Sequence, residues 1–129
     1  MLRYAAKLAI PNSINDYRNF WLGAVGVRED GAIVTAKNGA VECSTSVEKY
    51  YRNPRSHAEG RLLRKLGKGG TVYVARVSRK DYSFAMARPC LHCQVLLQSY
   101  KVDKVFYSIN ENQYGIWLPQ KNIDRVYSI

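Results

Sequence analysis

Two short segments hold the residue types and spacings best suited to chemistry. Residues 57–59 read HAE, and residues 89–93 read PCLHC. Proline is favoured in the first turn of a helix, so the second segment predicts a helix over about residues 89–101. Cys90 and Cys93 would then project from one face near the N-terminal end of that helix, where N–H groups stabilise the negative charge of thiolates.

Together the two segments predict a zinc site with an open position. His57, Cys90 and Cys93 offer the nitrogen and sulfur ligands that zinc prefers, and three protein ligands leave the fourth tetrahedral position for water. Glu59 follows the histidine by two residues, so it can reach this water without binding the metal. Because zinc makes such a water acidic near neutral pH, Glu59 would accept its proton.

Each half of this arrangement also has a simpler interpretation. Ser56 is a good helix N-cap, and Glu59 falls three residues later, as in a common capping box. A C-x-x-C pair also occurs in redox sites. A fourth ligand, Cys43 or His92, would instead close a structural zinc site in a basic nucleic-acid-binding module.

Length and composition predict one cytoplasmic domain over residues 1–129. Apolar residues make up 47% of the 129 residues, which is enough for a core without covalent staples. No apolar run approaches the roughly 20 residues of a membrane span, and the start of the chain lacks the apolar core of a secretory signal. Three cysteines, two of them in C-x-x-C, favour metal or redox chemistry over a disulfide framework.

The charge balance points to anionic partners. Twenty Lys and Arg residues stand against ten Asp and Glu residues, which gives a formal net charge of +10. Nucleotides and nucleic acids are both suitable partners for such a surface. Because the basic residues are spread along the chain, a solvated basic surface remains the alternative.

The hydrophobic pattern predicts an α/β fold with a mixed sheet. Helix-joined strands late in the chain favour parallel neighbours, whereas the first two strands form an antiparallel hairpin. A three-layer α/β/α sandwich around the mixed sheet accounts for this order of elements. The predicted elements are a helix in 1–10, strands 20–27 and 32–39, a short helix near 47–51, a helix after Ser56, a strand at 71–78, the helix at 89–101, a strand at 104–109 and a fifth strand around 116–119.

The combination of H-x-E with P-C-x-x-C resembles the cytidine deaminase-like superfamily of zinc-dependent nucleobase deaminases. The matching residues are His57, Glu59 and the segment 89–93, and the resemblance in element order covers roughly residues 16–118. It implies a three-layer α/β/α sandwich with a five-stranded mixed sheet and one catalytic Zn2+.

The resemblance also implies a mechanism and further site residues. A zinc-activated water attacks C4 of a cytosine ring, or C6 of a purine. Glu59 protonates the ring nitrogen and then carries the proton of the water to the departing amine, so that ammonia leaves. The backbone at Ala58 would contact the base, and Asn38 would hold the sugar or ring, although Asn38 also suits a turn before Gly39.

Two features of the resemblance point to different substrates. The segment SINENQYGIW, residues 108–117, is too short for a helix and predicts an antiparallel last pair of strands, as in the free-nucleoside cytidine deaminases. His57 instead matches deoxycytidylate deaminases and polynucleotide editors. We therefore predict C-to-U deamination of a cytosine nucleoside or nucleotide, with single-stranded DNA or RNA as the alternative substrate. A neighbouring subunit often completes a small closed pocket of this kind, so a homo-oligomer is among the expected states.

Overall fold

The computed structural model describes residues 1–10, 20–37 and 58–128. The described elements are the helices α1 Leu2–Ala9, α2 Ala58–Leu66 and α3 Leu91–Ser99, and the strands β1 Phe20–Val27, β2 Ile33–Lys37, β3 Thr71–Ser78, β4 Phe84–Ala85, β5 Lys104–Asn110, β6 Gln113–Leu118 and β7 Ile123–Ser128. None of these helices is long and apolar enough to span a bilayer. The predicted short helix near 47–51 lies outside the described residues.

The strands form one mixed sheet in the order β2-β1-β3-β5-β6-β7, with β4 added to β3. β3 and β5 pair in parallel, and every other pair in the described sheet is antiparallel. The predicted opening hairpin, the parallel pair and the antiparallel β5–β6 pair are therefore confirmed.

The sheet has seven strands where five were predicted. The additional strand β4 has only two residues, which is too short to show any hydrophobic periodicity. β7 is exposed along its whole length. It therefore lacks the alternation of buried and exposed positions by which a half-buried strand is recognised in a sequence. The helix predicted over 89–101 is shorter and begins at Leu91, with Cys90 as its N-cap.

Alternation along β3 separates the two faces of the sheet. Val72 and Val74 face α2 and α3, and together with Leu62, Leu97 and their neighbours they form the main core. Tyr73 and Ala75 point to the opposite face, where α1 packs. Helices on both faces of the sheet make the three-layer α/β/α sandwich that the sequence predicts.

The helix α1 lies unusually close to β1, and a glycine permits this. A Cβ atom added at Gly23 would overlap the backbone carbonyl of Ala5, so the helix backbone rests directly on the strand. Gly26 in the same strand differs, because an added Cβ there would lie 3.0–3.2 Å from side-chain methyl groups of Leu66, Val34 and Leu62. Side chains can shift where a helix backbone cannot.

We expect Gly23→Ala to lower the free energy of unfolding by roughly 1–3 kcal/mol, because α1 must move away from the sheet. Gly26→Ala is the matched control and should cost less, since flexible methyl groups absorb the added carbon. Urea denaturation of both variants measures the difference. Equal losses in the two variants would show that the close approach of α1 to β1 does not make Gly23 more sensitive than Gly26.

Candidate active site

The helices α2 and α3 begin at the same end of the molecule. Each has nine residues and leads into one of the two parallel neighbours, β3 and β5. Beyond their C-terminal ends, the Gly69 N–H donates to the Tyr100 carbonyl at 2.8 Å, and the Asp103 N–H donates to the Gly70 carbonyl at 2.9 Å. With the C-terminal ends joined in this way, both N-terminal ends lie at the carboxyl ends of β3 and β5.

The two cysteines lie at the start of α3. Cys90 is the N-cap, with extended backbone at φ −68° and ψ 165°, and no side-chain hydrogen bond caps the helix there. Cys93 follows in the first turn. Cys90 is exposed and Cys93 is buried, so the pair spans the boundary between solvent and core. The Cys90 residue is therefore accessible from solvent, and Cys93 is held in the core.

The start of α2 brings part of the HAE segment to the same end. Ala58 and Glu59 are its first two residues, and for both of them the structure describes the backbone. His57 and Asn38 lie outside the described residues. Within ranges 1–10, 20–37 and 58–128, no group of three or more His, Cys, Asp and Glu side chains is clustered for a metal. Glu59 and the two cysteines lie at one end of the described structure, because α2 and α3 both begin there. The roles of His57 and Asn38 stay predictions.

A carboxylate from β7 anchors the segment that leads into α3. The Arg88 Nε atom donates to the Asp124 Oδ2 atom at 2.6 Å. The Tyr107 hydroxyl on β5 donates to the other carboxylate oxygen, Asp124 Oδ1, at 2.5 Å. Because Arg88 precedes Cys90 by two residues, this network ties the approach to the cysteines to two strands of the sheet.

The environment of Tyr107 keeps its hydroxyl protonated. Its ring lies over Gly115 of β6, where an added Cβ would overlap the ring. Burial, reinforced by the hydrogen bond to Asp124, raises the pKa of Tyr107 to about 12. The hydrogen bond to Asp124 also raises the pKa of Arg88. Both groups therefore remain donors to the carboxylate throughout the physiological pH range.

A buried serine joins three strands near the end of the β3–β5 pairing. The Ser108 hydroxyl accepts a hydrogen bond from the Arg76 N–H at 3.0 Å and donates to the Ala85 carbonyl at 2.7 Å. Its own carbonyl accepts from the Ala87 N–H at 2.8 Å. One residue thus bridges β3, β4 and β5 where the β3–β5 pairing ends, and holds the chain just before Arg88.

Sequence reasoning missed the supporting residues Ser108, Tyr107 and Asp124. A lone serine within the apolar run of β5 was a usable signal for Ser108, but nothing local connects Asp124 with Arg88 across 36 residues. Trp117 is 1% exposed and belongs to the main core. Its Nε1 atom donates to the Asn122 side-chain oxygen at 3.1 Å.

We expect alkaline pH to weaken the fold through Tyr107. Its pKa is higher in the folded chain than the ordinary value of 10.0, so its contribution is complete below pH 10 and is lost as pH rises through about 12. The free energy of unfolding should therefore fall more steeply between these pH values in the parent chain than in Tyr107→Phe. Urea titrations at several pH values measure the slopes. Tyr82→Phe removes an exposed hydroxyl and should keep the parent slope.

Ser108→Ala should lower the free energy of unfolding by about 1–3 kcal/mol, because the hydroxyl makes two hydrogen bonds in the core. The matched control is Ser99→Ala, which removes an exposed hydroxyl bonded to the Val95 carbonyl and should cost no more than about 0.5 kcal/mol. Thermal and urea denaturation check both values. A Ser108→Ala loss as small as that of the control would contradict its bridging role.

Comparison with solved structures places this fold beside known enzymes. A crystal structure of a mutant cytidine deaminase from Mycobacterium tuberculosis matches with a TM-score of 0.50 and 24% identity, covering 85% of this chain and 88% of that chain. A second crystal structure of cytidine deaminase from the same organism gives a TM-score of 0.46 and 22% identity, with 85% and 87% covered. The first likeness shows a shared fold. No curated protein sequence matches the chain.

The family comparison is more specific than the likeness in fold. The family model described as the cytidine and deoxycytidylate deaminase zinc-binding region matches residues 1–109. This match covers most of the chain and includes both the HAE and the PCLHC segments. The chain therefore belongs to the cytidine and deoxycytidylate deaminase family.

Proposed function

We propose that residues 1–129 form a single deaminase domain that converts cytosine to uracil in a nucleoside or nucleotide, with one Zn2+. The observation that carries this proposal is the common end at which α2 and α3 begin. It supports a site assembled from the HAE and PCLHC segments, which the family match covers together. The hydrolysis forms a carbon–oxygen bond at C4 and breaks the carbon–nitrogen bond to the amine, which leaves as ammonia.

The donor set fits zinc. Cys90 and Cys93 would supply two sulfurs at the N-terminal end of α3, where no side-chain hydrogen bond caps the helix. His57 would supply the third ligand, immediately before α2 in the sequence. When bound, zinc supplies the Lewis acidity that makes a water nucleophilic near neutral pH. Its donors are two soft sulfurs and one imidazole, which is typical of an open catalytic zinc site.

Glu59 moves the protons in this proposal. Its carboxylate takes a proton from the attacking water and gives it to the ring nitrogen, and a second transfer protonates the departing amine. The backbone at Ala58 and the Asn38 side chain would hold the base and the sugar. Ser108 and the Arg88–Asp124 pair keep the preceding chain in place, so they act by positioning the cysteines rather than by touching substrate.

Two observations favour a small substrate over a polynucleotide. β5 and β6 are joined by the two residues 111–112 and run antiparallel, which is the arrangement that the resemblance associates with free-nucleoside deaminases. In addition, Arg88 is bound to Asp124, and an Arg76 Nη1 atom donates to the Met86 carbonyl at 3.5 Å. Both arginines thus take part in internal contacts.

The net charge of +10 favours the alternative, a deaminase of single-stranded DNA or RNA. Ammonia release measured with cytidine, deoxycytidine, their monophosphates and cytosine-containing oligonucleotides separates the two. Our proposal requires turnover of at least one small substrate. Turnover of oligonucleotides alone, falling steeply with added salt, would establish the alternative.

Glu59→Gln should reduce the rate of ammonia release by roughly 10²–10⁴-fold, because the amide cannot carry the protons. Bound zinc, measured by atomic absorption, and the melting temperature should stay unchanged. Glu29→Gln is the matched control, since it neutralises an exposed carboxylate on the β1–β2 turn and should keep full activity.

The same variants test the non-catalytic alternative of a structural zinc site. A parent chain that binds zinc and oligonucleotides but releases no ammonia from any cytosine substrate would establish that alternative. A Glu59→Gln variant as active as the parent chain would remove Glu59 from its proposed role. Loss of zinc from this variant would likewise contradict a glutamate that acts on water without binding the metal.

A further inference from the structure

A cavity lies on the face of the sheet that carries α1. Its volume is about 400 Å³, within the range of roughly 300–1,000 Å³ that small-molecule sites occupy. Its walls come from β3, β4, β5 and β6, from the turn between β5 and β6, and from the first turn of α1. The helices α2 and α3 of the candidate active site pack on the opposite face of the sheet, so this cavity is a separate feature.

Four half-buried aromatic rings make the apolar part of the cavity, namely Tyr73, Phe84, Phe106 and Tyr114. Tyr73 stacks on Phe106 with ring centroids 4.8 Å apart, Phe106 on Tyr114 at 6.4 Å, and Tyr114 on Tyr127 at 5.5 Å. Phe106 and Tyr114 therefore have a stacked ring on each face and present their edges to the cavity. Ring edges carry the positive part of the aromatic quadrupole, so they favour the electron-rich face of a planar ligand. An organic cation binds over ring faces and is not favoured here.

The Glu111 carboxylate is an acceptor held at the wall of the cavity. Its Oε1 atom accepts a hydrogen bond from the Phe84 N–H at 2.7 Å. The turn that carries it is braced on both sides, because the Asn112 N–H donates to Asn110 Oδ1 at 2.8 Å and Asn110 Nδ2 donates to Gln113 Oε1 at 3.1 Å. Within residues 1–10, 20–37 and 58–128, Glu111 Oε2 accepts no hydrogen bond. This oxygen is therefore available to an N–H group of a ligand.

Arg3 brings a positive charge to the same cavity. It lies in the first turn of α1, is exposed, and forms no ion pair or hydrogen bond with the other described residues. A guanidinium group binds a carboxylate through as many as two parallel hydrogen bonds. An anionic group of a ligand is favoured at Arg3 and disfavoured at Glu111, so the two side chains determine the direction in which a ligand lies.

We propose that this cavity binds a small planar aromatic acid that has a ring N–H, of the size of an indole carboxylate. The ring would lie across the edges of Phe106 and Tyr114, its N–H would donate to Glu111 Oε2, and its carboxylate would pair with Arg3. A neutral or cationic aromatic molecule would not make the contact with Arg3. The proposal concerns the α1 face alone and does not depend on deaminase activity.

Three ligands that differ by one group test the chemistry of the cavity. Isothermal titration calorimetry of the full chain compares indole-3-acetate with its N-methyl analogue and with indole-3-ethanol. We expect indole-3-acetate to bind about 5–10-fold more tightly than the N-methyl analogue, which cannot donate to Glu111. It should bind about 3–5-fold more tightly than indole-3-ethanol, which has no charge to pair with the exposed Arg3.

Variants of the chain assign each preference to one side chain. Arg3→Gln should remove the preference for the acid over the alcohol, and Glu111→Ala should remove the preference for the N–H over the N-methyl ligand. Lys7→Gln is the matched control for Arg3, since it removes one positive charge from the last turn of the same helix and should keep both preferences. Each preference is a ratio measured within one variant, so a general loss of stability does not produce these outcomes.

Nuclear magnetic resonance locates the bound ligand. Indole-3-acetate should shift the aromatic signals of Phe84, Phe106 and Tyr114 and leave the backbone signals of Cys90 and Cys93 unchanged. A parent chain that binds none of the three ligands at millimolar concentration would overturn the proposal. So would equal binding of all three, signal shifts confined to the start of α3, or preferences that persist in Arg3→Gln and Glu111→Ala.

Discussion

The parallel pairing of β3 with β5 is the constraint on which the rest of the site depends. Parallel neighbours cannot be joined by a tight turn, so the chain must cross over through α3 and return to the same end of the sheet. α2 leads into β3 in the same direction, and the hydrogen bond from the Gly69 N–H to the Tyr100 carbonyl joins the far ends of the two helices. Their N-terminal ends are therefore brought together by backbone topology, before any side chain of the site takes part.

The topology fixes the end of the sheet at which the candidate site lies, and three supporting side chains hold the entry to α3. Ser108 bonds the Ala85 carbonyl through its hydroxyl and the Ala87 N–H through its carbonyl, while Asp124, itself bonded by Tyr107, holds Arg88. These contacts hold the chain at three positions within the five residues that precede Cys90. A metal site needs ligands that are already positioned, because an imprecise first turn would place the two sulfurs badly for one ion.

Much of the fold could be predicted because its signals are local. The β-branched residues of segment 71–78 predict the strand β3, and Leu62, Leu63 and Leu66 predict the buried side of α2. The predicted start of α3 was wrong by two residues, because Pro89 precedes the N-cap instead of opening the helix. β7 has no buried face that periodicity could reveal, and the partners of Asp124 come from distant parts of the chain. Apart from the local signal of Pro89, the features that could not be predicted are those that depend on long-range pairing.

β7 connects the candidate site with the edge of the sheet. Asp124 on this strand binds Arg88, two residues before Cys90, while Val126 and Tyr127 are exposed on the last strand of the described sheet. An exposed edge strand is held by backbone bonds on one side only, so it is among the first elements to open locally. Because Asp124 holds Arg88 only while β7 is in place, such opening would also release the chain that leads to Cys90. In physical terms, the edge of the sheet and the start of α3 are coupled through one carboxylate.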